Sequence, residues 1–213
     1  MNYIENIYIC IAAPVLVAAV SLKDKHRKMM LFLLAGMTTC LLSSYVSTYL
    51  TYRLGAKPYQ AAGEIAPMIE EIMKFLPMMF YLLVFEPKRR DDTAWCMIHV
   101  ALGFATFENI CWLTANGASN VLYLLIRGFG TGAMHVVCGA IISAGLMFIW
   151  KDMWLRLAGT AGMLTLTVTY HAIYNILVAE EGIVAWIGYL IPMVTAVVIM
   201  MIQSRTENRQ KEE

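Results

Sequence analysis

Charge is scarce in this chain. Of its 213 residues only 15% are Asp, Glu, Lys or Arg, against 60% apolar residues and a mean hydropathy of +0.63, a balance that excludes an ordinary soluble domain. No polar stretch is long enough to hold a second core, so an extramembrane domain is excluded too. The five cysteines, Cys10, Cys40, Cys96, Cys111 and Cys138, lie scattered in apolar runs without C-x-x-C spacing. That pattern excludes a zinc knuckle or dithiol pair and reads as buried apolar filler. Met1 to Tyr8 has neither the basic leader nor the small-residue cleavage site of a secretory signal, so Ile7 to Val20 is expected to stay as the first helix. There is no His-Glu-x-x-His and no obvious internal repeat.

What is present is a series of long apolar runs. A helix crosses the hydrocarbon core with roughly 20 apolar residues, and seven such runs occupy about 3–22, 29–51, 65–86, 94–115, 121–150, 154–179 and 183–203. The expected fold is all-α: one transmembrane helical bundle over residues 1–204, with a polar cytoplasmic tail, 205–213, that alternates charge without apolar period and is expected to be disordered. Twelve basic residues fall in loops of one parity: Lys23, Lys25, Arg27 and Lys28; Lys88, Arg89 and Arg90; Lys151 and Arg156; Arg205, Arg209 and Lys211. The opposite loops hold Arg53 and Lys57 beside Glu64, Glu180 and Glu181. Short cytoplasmic loops retain Lys and Arg, which puts the N-terminus outside and the C-terminus in the cytoplasm.

The charges inside the apolar runs carry the functional information, because an ionisable side chain in the bilayer costs a few kcal/mol, about 2.5 or more, and normally faces the bundle interior with a partner. Lys74 and Arg127 are two such cations; Glu70, Glu71, Glu108, His99, His135 and His171 accompany them. Spacing of i,i+4 sets Glu70 beside Lys74 as an expected ion pair and turns Glu71 partly away. Paired carboxylates in different environments suit acid/base work, though a local salt bridge at a helix start has the same pattern. Glu108, followed by Asn109, needs a partner, and Arg127 of the next helix is the expected one, in a structural pair or a catalytic one. Three glycines between Arg127 and His135 allow a close approach or a break, and the 30-residue run at 121–150 is longer than one span. The part before Gly130 is therefore expected to be interfacial or re-entrant, leaving His135 near a helix end. His171 and Asn175, at i,i+4, share a face; an imidazole there can bind metal, shuttle a proton or simply satisfy packing.

Depth combines these motifs. Counted from the outer helix ends, Glu70, Glu71, Glu108, His171 and Asn175 all fall within about eight residues, or roughly 12 Å at 1.5 Å per residue. One polar site in the outer half of the bilayer is expected, with His99 left outside it on the cytoplasmic side.

Glu-Glu-x-x-Lys, Phe-x-x-x-Glu-Asn, Arg-x7-His and His-x-x-x-Asn, each on its own helix and in that order, resemble the PrsW family of intramembrane proteases, itself similar to the CAAX prenyl protease and bacteriocin-processing superfamily. The resemblance runs from Glu70 to Asn175. It implies a multi-pass protease of the bacterial cytoplasmic membrane that makes the first, site-1 cut in a single-pass membrane-anchored anti-sigma factor in a stress response. It also implies Glu70 and Glu71 as the catalytic pair and His135 and His171 as essential imidazoles.

The chemistry asks for an activated water, a group that holds it and donors for an oxyanion. Glu70 or Glu71 is the expected base, His135 the holder of water or metal, and His171 with Asn175 the oxyanion donors. Lys74, Glu108, Asn109 and Arg127 are expected around them, fixing charge and geometry. Cys138 and Ser143 are the only nucleophile-type side chains near a motif face. The cofactor is either no tightly bound metal or one Zn²⁺, for which His135, His171 and Glu71 are candidate ligands. A nucleic-acid partner is not expected. Two other classes share the pattern: a non-catalytic membrane scaffold or immunity protein, and a small proton-coupled transporter, whose path would have to cross the midplane.

Overall fold

The structure is a computed structural model that describes residues 3–85, 90–117, 120–149 and 153–212, the side chains of 90–93, 147–149 and 203–212 excepted. Seven long helices and one short one are found among the described residues, and no strand. They are α1 (Ile4–Ser21), α2 (Asp24–Leu54), the single turn α3 (Pro58–Gln60), α4 (Ala66–Phe85), α5 (Arg90–Asn116), α6 (Val121–Ile149), α7 (Met153–Ala179) and α8 (Ile183–Glu212). By length and composition six are apolar enough to cross a membrane. The seventh, α4, has 20 residues and carries Glu70, Glu71 and Lys74. In a solvent that cannot hydrogen-bond to the backbone, helices closed on themselves are the available solution, and the protein is a multi-pass membrane protein built that way.

Three expectations change here. The run expected at 121–150 forms one uninterrupted helix, α6, over its described part, Val121–Ile149; it passes through Gly128, Gly130 and Gly132 without the break a re-entrant segment needs. His135 consequently sits mid-helix rather than near an end. The tail expected to be disordered from residue 205 continues α8 as helix to Glu212. Of the basic residues that fix sidedness, Lys88, Arg89 and Lys151, and the side chains of Arg90, Arg205, Arg209 and Lys211, lie outside the described residues.

Ahead of α4 the helix starts early. Pro58 opens α3 at a position where its missing N–H costs nothing, and the Gln60 side chain accepts the Lys57 N–H at 3.1 Å. Residues Ala61–Ile65 then form a π-helical turn that runs straight into α4. Such a turn inserts a residue and re-aims the helix beyond it.

Close helix packing depends on glycine. A Cβ on Gly36 of α2 would stand 2.0 Å from the Val100 carbonyl oxygen of α5, and one on Gly103 of α5 would stand 1.9 Å from that of Leu33 of α2. The two backbones touch reciprocally, the small-residue packing by which helices associate where no hydrophobic drive separates helix from lipid. Gly130 of α6 likewise admits the Tyr189 ring of α8, 2.7 Å from where its Cβ would be. Around these contacts three apolar clusters form the core: Phe75, Met78, Tyr81 and Met97 with Ile142; Met37 and Cys40 with Phe104 and Phe107; Met134 and Cys138 with Tyr174 and Tyr189. The polar site lies where the three meet. We expect Gly103→Ala to lower the thermal midpoint of the detergent-solubilised protein, since overpacking a fitted contact costs about 1–3 kcal/mol. Gly132→Ala, with nothing within 4 Å of the added methyl, should leave it unchanged or raise it; equal effects would remove the glycine contact from the account.

Candidate active site

Four helices each bring a polar face to one place. From α4 come Glu70, Glu71 and Lys74; from α5 Glu108 and Asn109; from α6 Arg127 and His135; from α7 His171 and Asn175. Glu71, Lys74, His135 and His171 are all within 2% of complete burial. Such groups are tolerated only when mutually compensated, and the contacts supply that compensation. Lys74 Nζ donates to Glu71 Oε1 at 2.6 Å and contacts His135 Nδ1 at 2.8 Å. His171 Nδ1 meets the same Glu71 oxygen at 2.8 Å. The other nitrogen of His135, Nε2, pairs with Glu108 Oε2, and Glu108 Oε1 lies 3.5 Å from the Arg127 guanidinium. Arg127 also donates to the Asn109 side-chain oxygen and stacks over Trp112, 4.4 Å from its ring centroid.

The expected ion pair therefore forms with the other glutamate. Positions i+3 and i+4 lie on the same side of a helix, and Lys74 takes Glu71, its i+3 partner, because both occupy the fully buried face. Glu70 keeps 17% of its side chain exposed. Its Oε2 stands 3.7 Å from His171 Nε2 and makes no hydrogen bond among the described residues; Glu71 Oε2 is unpartnered as well. Arg127 meets Glu108 as expected, but shares it with His135.

Asn175 differs from expectation. Its side-chain amide donates to the Ala62 carbonyl at 2.9 Å, tying α7 to the π-turn ahead of α4. Gly63 reinforces the same junction, its Cα facing the Ile176 side chain, 3.5 Å from where a Cβ would be. Asn175 thus holds the segment that leads into Glu70 and Glu71, with one of its amide N–H groups committed to that bond. The two possible nucleophiles are also committed: Ser143 Oγ donates to the Ala140 carbonyl, and Cys138 Sγ to that of Thr167. His99 bonds its own helix at the Trp95 carbonyl and stays outside the site.

Sequence reasoning missed the ring environment. Phe104 lies under Lys74, 4.9 Å from its Nζ, and against the His135 ring, whose centroid is 5.0 Å away. The His135 and His171 rings pack edge to face at 5.1 Å. Thr131 and Tyr174, bonded through their hydroxyls at 2.8 Å, close the site between α6 and α7. The first residue of the Phe-x-x-x-Glu-Asn pattern was the only available signal for Phe104.

Metal-ligating atoms of Glu70, His135 and His171 all lie within 4.8 Å of one another. The carboxylate that joins the histidines is Glu70, where Glu71 was expected, because Glu71 is occupied by Lys74 and His171. The set fits a cation on two counts. Glu70 has a buried orphan oxygen facing the cluster, and each histidine holds a carboxylate on one nitrogen, Glu71 for His171 and Glu108 for His135, the usual outer partners of metal-binding imidazoles; His171 Nε2 is open to a cation, whereas His135 Nδ1 is held by Lys74 and takes one only if that ammonium moves aside.

Residues 25–202 match the PrsW-protease family, described as PrsW family intramembrane metalloprotease, and the chain belongs to that family. No curated protein and no solved structure matches it.

The central pair yields a direct expectation. Lys74→Met strands a fully buried carboxylate and should destabilise the fold by about 3–5 kcal/mol, while adding Glu71→Gln should restore a large part of the loss. A double-mutant cycle on thermal or denaturant unfolding reads this; additive losses would show that the two residues are not compensating each other.

Proposed function

We propose that this member of the PrsW family is an intramembrane endopeptidase that makes the first cut in a membrane-anchored anti-sigma factor, hydrolysing a peptide bond at the Glu70, His135 and His171 cluster. The observation that carries the reading is the orphan Glu70 oxygen. That oxygen is buried beside the two histidines with nothing to satisfy it, while 17% of the Glu70 side chain stays exposed, so Glu70 joins the buried cluster to the outside of the bundle.

Glu70, His135 and His171 would hold the metal that the family description implies. A zinc ion bound there supplies Lewis acidity, which acidifies water and polarises a carbonyl. The chain's own groups do the rest. Glu70, through the carboxylate oxygen that does not face the metal position, orients the attacking water and receives its proton. Glu71 fixes the His171 ring through Nδ1, leaving Nε2 toward Glu70, and Glu108 fixes the His135 ring through Nε2 while Lys74 meets its Nδ1. Lys74, two of whose three N–H groups serve Glu71 and His135, places a fixed cation beside the developing oxyanion in a water-poor site. Arg127, anchored on Asn109 and Trp112, pairs with Glu108 and holds it in place. The resting place of the bundle is the bacterial cytoplasmic membrane, with the site toward the outer side that the charge count assigns.

Against the transporter alternative stands the confinement of the charges to one network rather than a path from end to end. A scaffold would need the network only for packing. Co-expression with a panel of single-pass membrane proteins, anti-sigma factors among them, separates these classes. Wild type should cut one, Glu70→Gln should lose the cut while remaining at wild-type abundance and melting temperature, His171→Ala should lose it while remaining folded in the membrane at a lowered melting temperature, and a zinc chelator should abolish it reversibly. Cutting by both folded variants at the wild-type rate would end the catalytic assignment.

A further inference from the structure

Beside the site a groove of about 590 Å³ opens at the membrane end shared by the C-terminal part of α2 and the turn before α4, within the size range of ligand clefts. One wall is hydroxyl-bearing: Ser47, Thr51 and Tyr52 of α2. The other is smooth: Pro58, Ala62 and Ala66 of α3, the π-turn and α4. The catalytic assignments above use none of these side chains. The Ser47 Oγ is buried in this wall and has no hydrogen-bond partner among the described residues, an arrangement that costs free energy unless a ligand's polar group completes it.

We infer that this groove seats the substrate, as an extended stretch of polypeptide just outside the substrate's own membrane span, with the Ser47 hydroxyl turning out of the wall to bond its backbone. The inference rests on the protease reading and adds where the chain lies. Four features select that occupant. The groove ends near the reacting group, since its lining residue Ala66 lies one helical turn, about 6 Å, before Glu70 on the same helix side. From the level of Thr51 to that of Ser47 and onward one turn is about 12 Å, which an extended segment of roughly four residues spans. The wall residues Ala62 and Ala66 leave the π-turn without bulk, so a backbone can approach it closely while its side chains stay free. Finally, Tyr45, Tyr49 and Tyr52 project exposed from the adjoining face of α2, a tyrosine band of the kind that sits at the membrane–water interface. A chain entering at that level meets the groove as it leaves the lipid, where an unpaired backbone has water on one side and Ser47 on the other. The clamp from Asn175 to the Ala62 carbonyl keeps the groove wall and Glu70 in fixed relation.

The experiment uses the full chain in proteoliposomes with the single-pass protein that wild type cuts. Ala62→Trp fills the groove from an exposed position, and Thr51→Cys is assayed before and after a bulky maleimide, relative to the same preparation unlabelled. Leu190→Cys, on the exposed face of α8, and the wild type treated alike control for labelling elsewhere and for the native cysteines. Filling or labelling the groove should raise KM about tenfold with kcat changed less than about twofold, the mark of lost ground-state binding rather than lost chemistry. If wild type cuts and both groove changes leave KM unaltered, the groove holds lipid or nothing and the inference is overturned while the protease reading stands. If wild type cuts no member of the panel, the protease reading falls and takes the groove with it. Should Ala62→Trp fail to fold, the labelled Thr51→Cys preparation decides alone.

Discussion

A carboxylate buried among apolar helices must find a cation or lose its charge, and Glu71, fully buried in α4, finds Lys74 at 2.6 Å. Everything else in the site depends on sharing that pair. Lys74 has donors to spare and reaches His135; Glu71 has acceptor capacity to spare and reaches His171. His135 passes the connection to Glu108, and Glu108 to Arg127. Four helices are thereby tied through one chain of ion pairs and hydrogen bonds, and each imidazole is left with a fixed orientation. The energetic need to compensate charge and the chemical need to orient histidines are met by the same contacts.

The bundle can bring these groups together only because its helices approach closely at defined levels. The reciprocal Gly36 and Gly103 contact draws α2 against α5, and Gly130 lets α8 close on α6. The π-turn sets the rotation of α4, and Asn175 fixes that turn from α7. Glu71 therefore faces the interior with Lys74, and Glu70 is turned outward by one residue's rotation, about 100°, into partial exposure. Two adjacent glutamates acquire different surroundings from that rotation alone.

Much of this was legible from the sequence because the membrane makes ionisable residues conspicuous: Glu70, Glu71, Lys74, Glu108, Arg127, His135 and His171 stand out against apolar runs, and matching depth predicts that they meet. The helix count was legible for the same reason. Finer choices were not. Whether Lys74 takes Glu70 or Glu71 depends on which face is buried, and both spacings are compatible with a helix. The continuity of α6 through Gly128, Gly130 and Gly132 is decided by neighbouring helices, one of which needs the space at Gly130. The π-turn leaves no composition signal, so the bond from Asn175 to Ala62 could not be anticipated, and the amide was assigned to catalysis. The helical continuation to Glu212 likewise has no apolar period to announce it.

The central claim is that Glu70, His135 and His171 form a single reacting centre whose geometry is set by Glu71 and Glu108. Titrating the purified, membrane-reconstituted protein with Co²⁺ and recording its visible absorption tests this without any substrate. The account predicts one bound equivalent with the intense bands of a low-coordinate site, lost in Glu70→Gln and in His171→Ala and retained in Ser143→Ala. Equal binding and an unchanged spectrum in all three variants would contradict it.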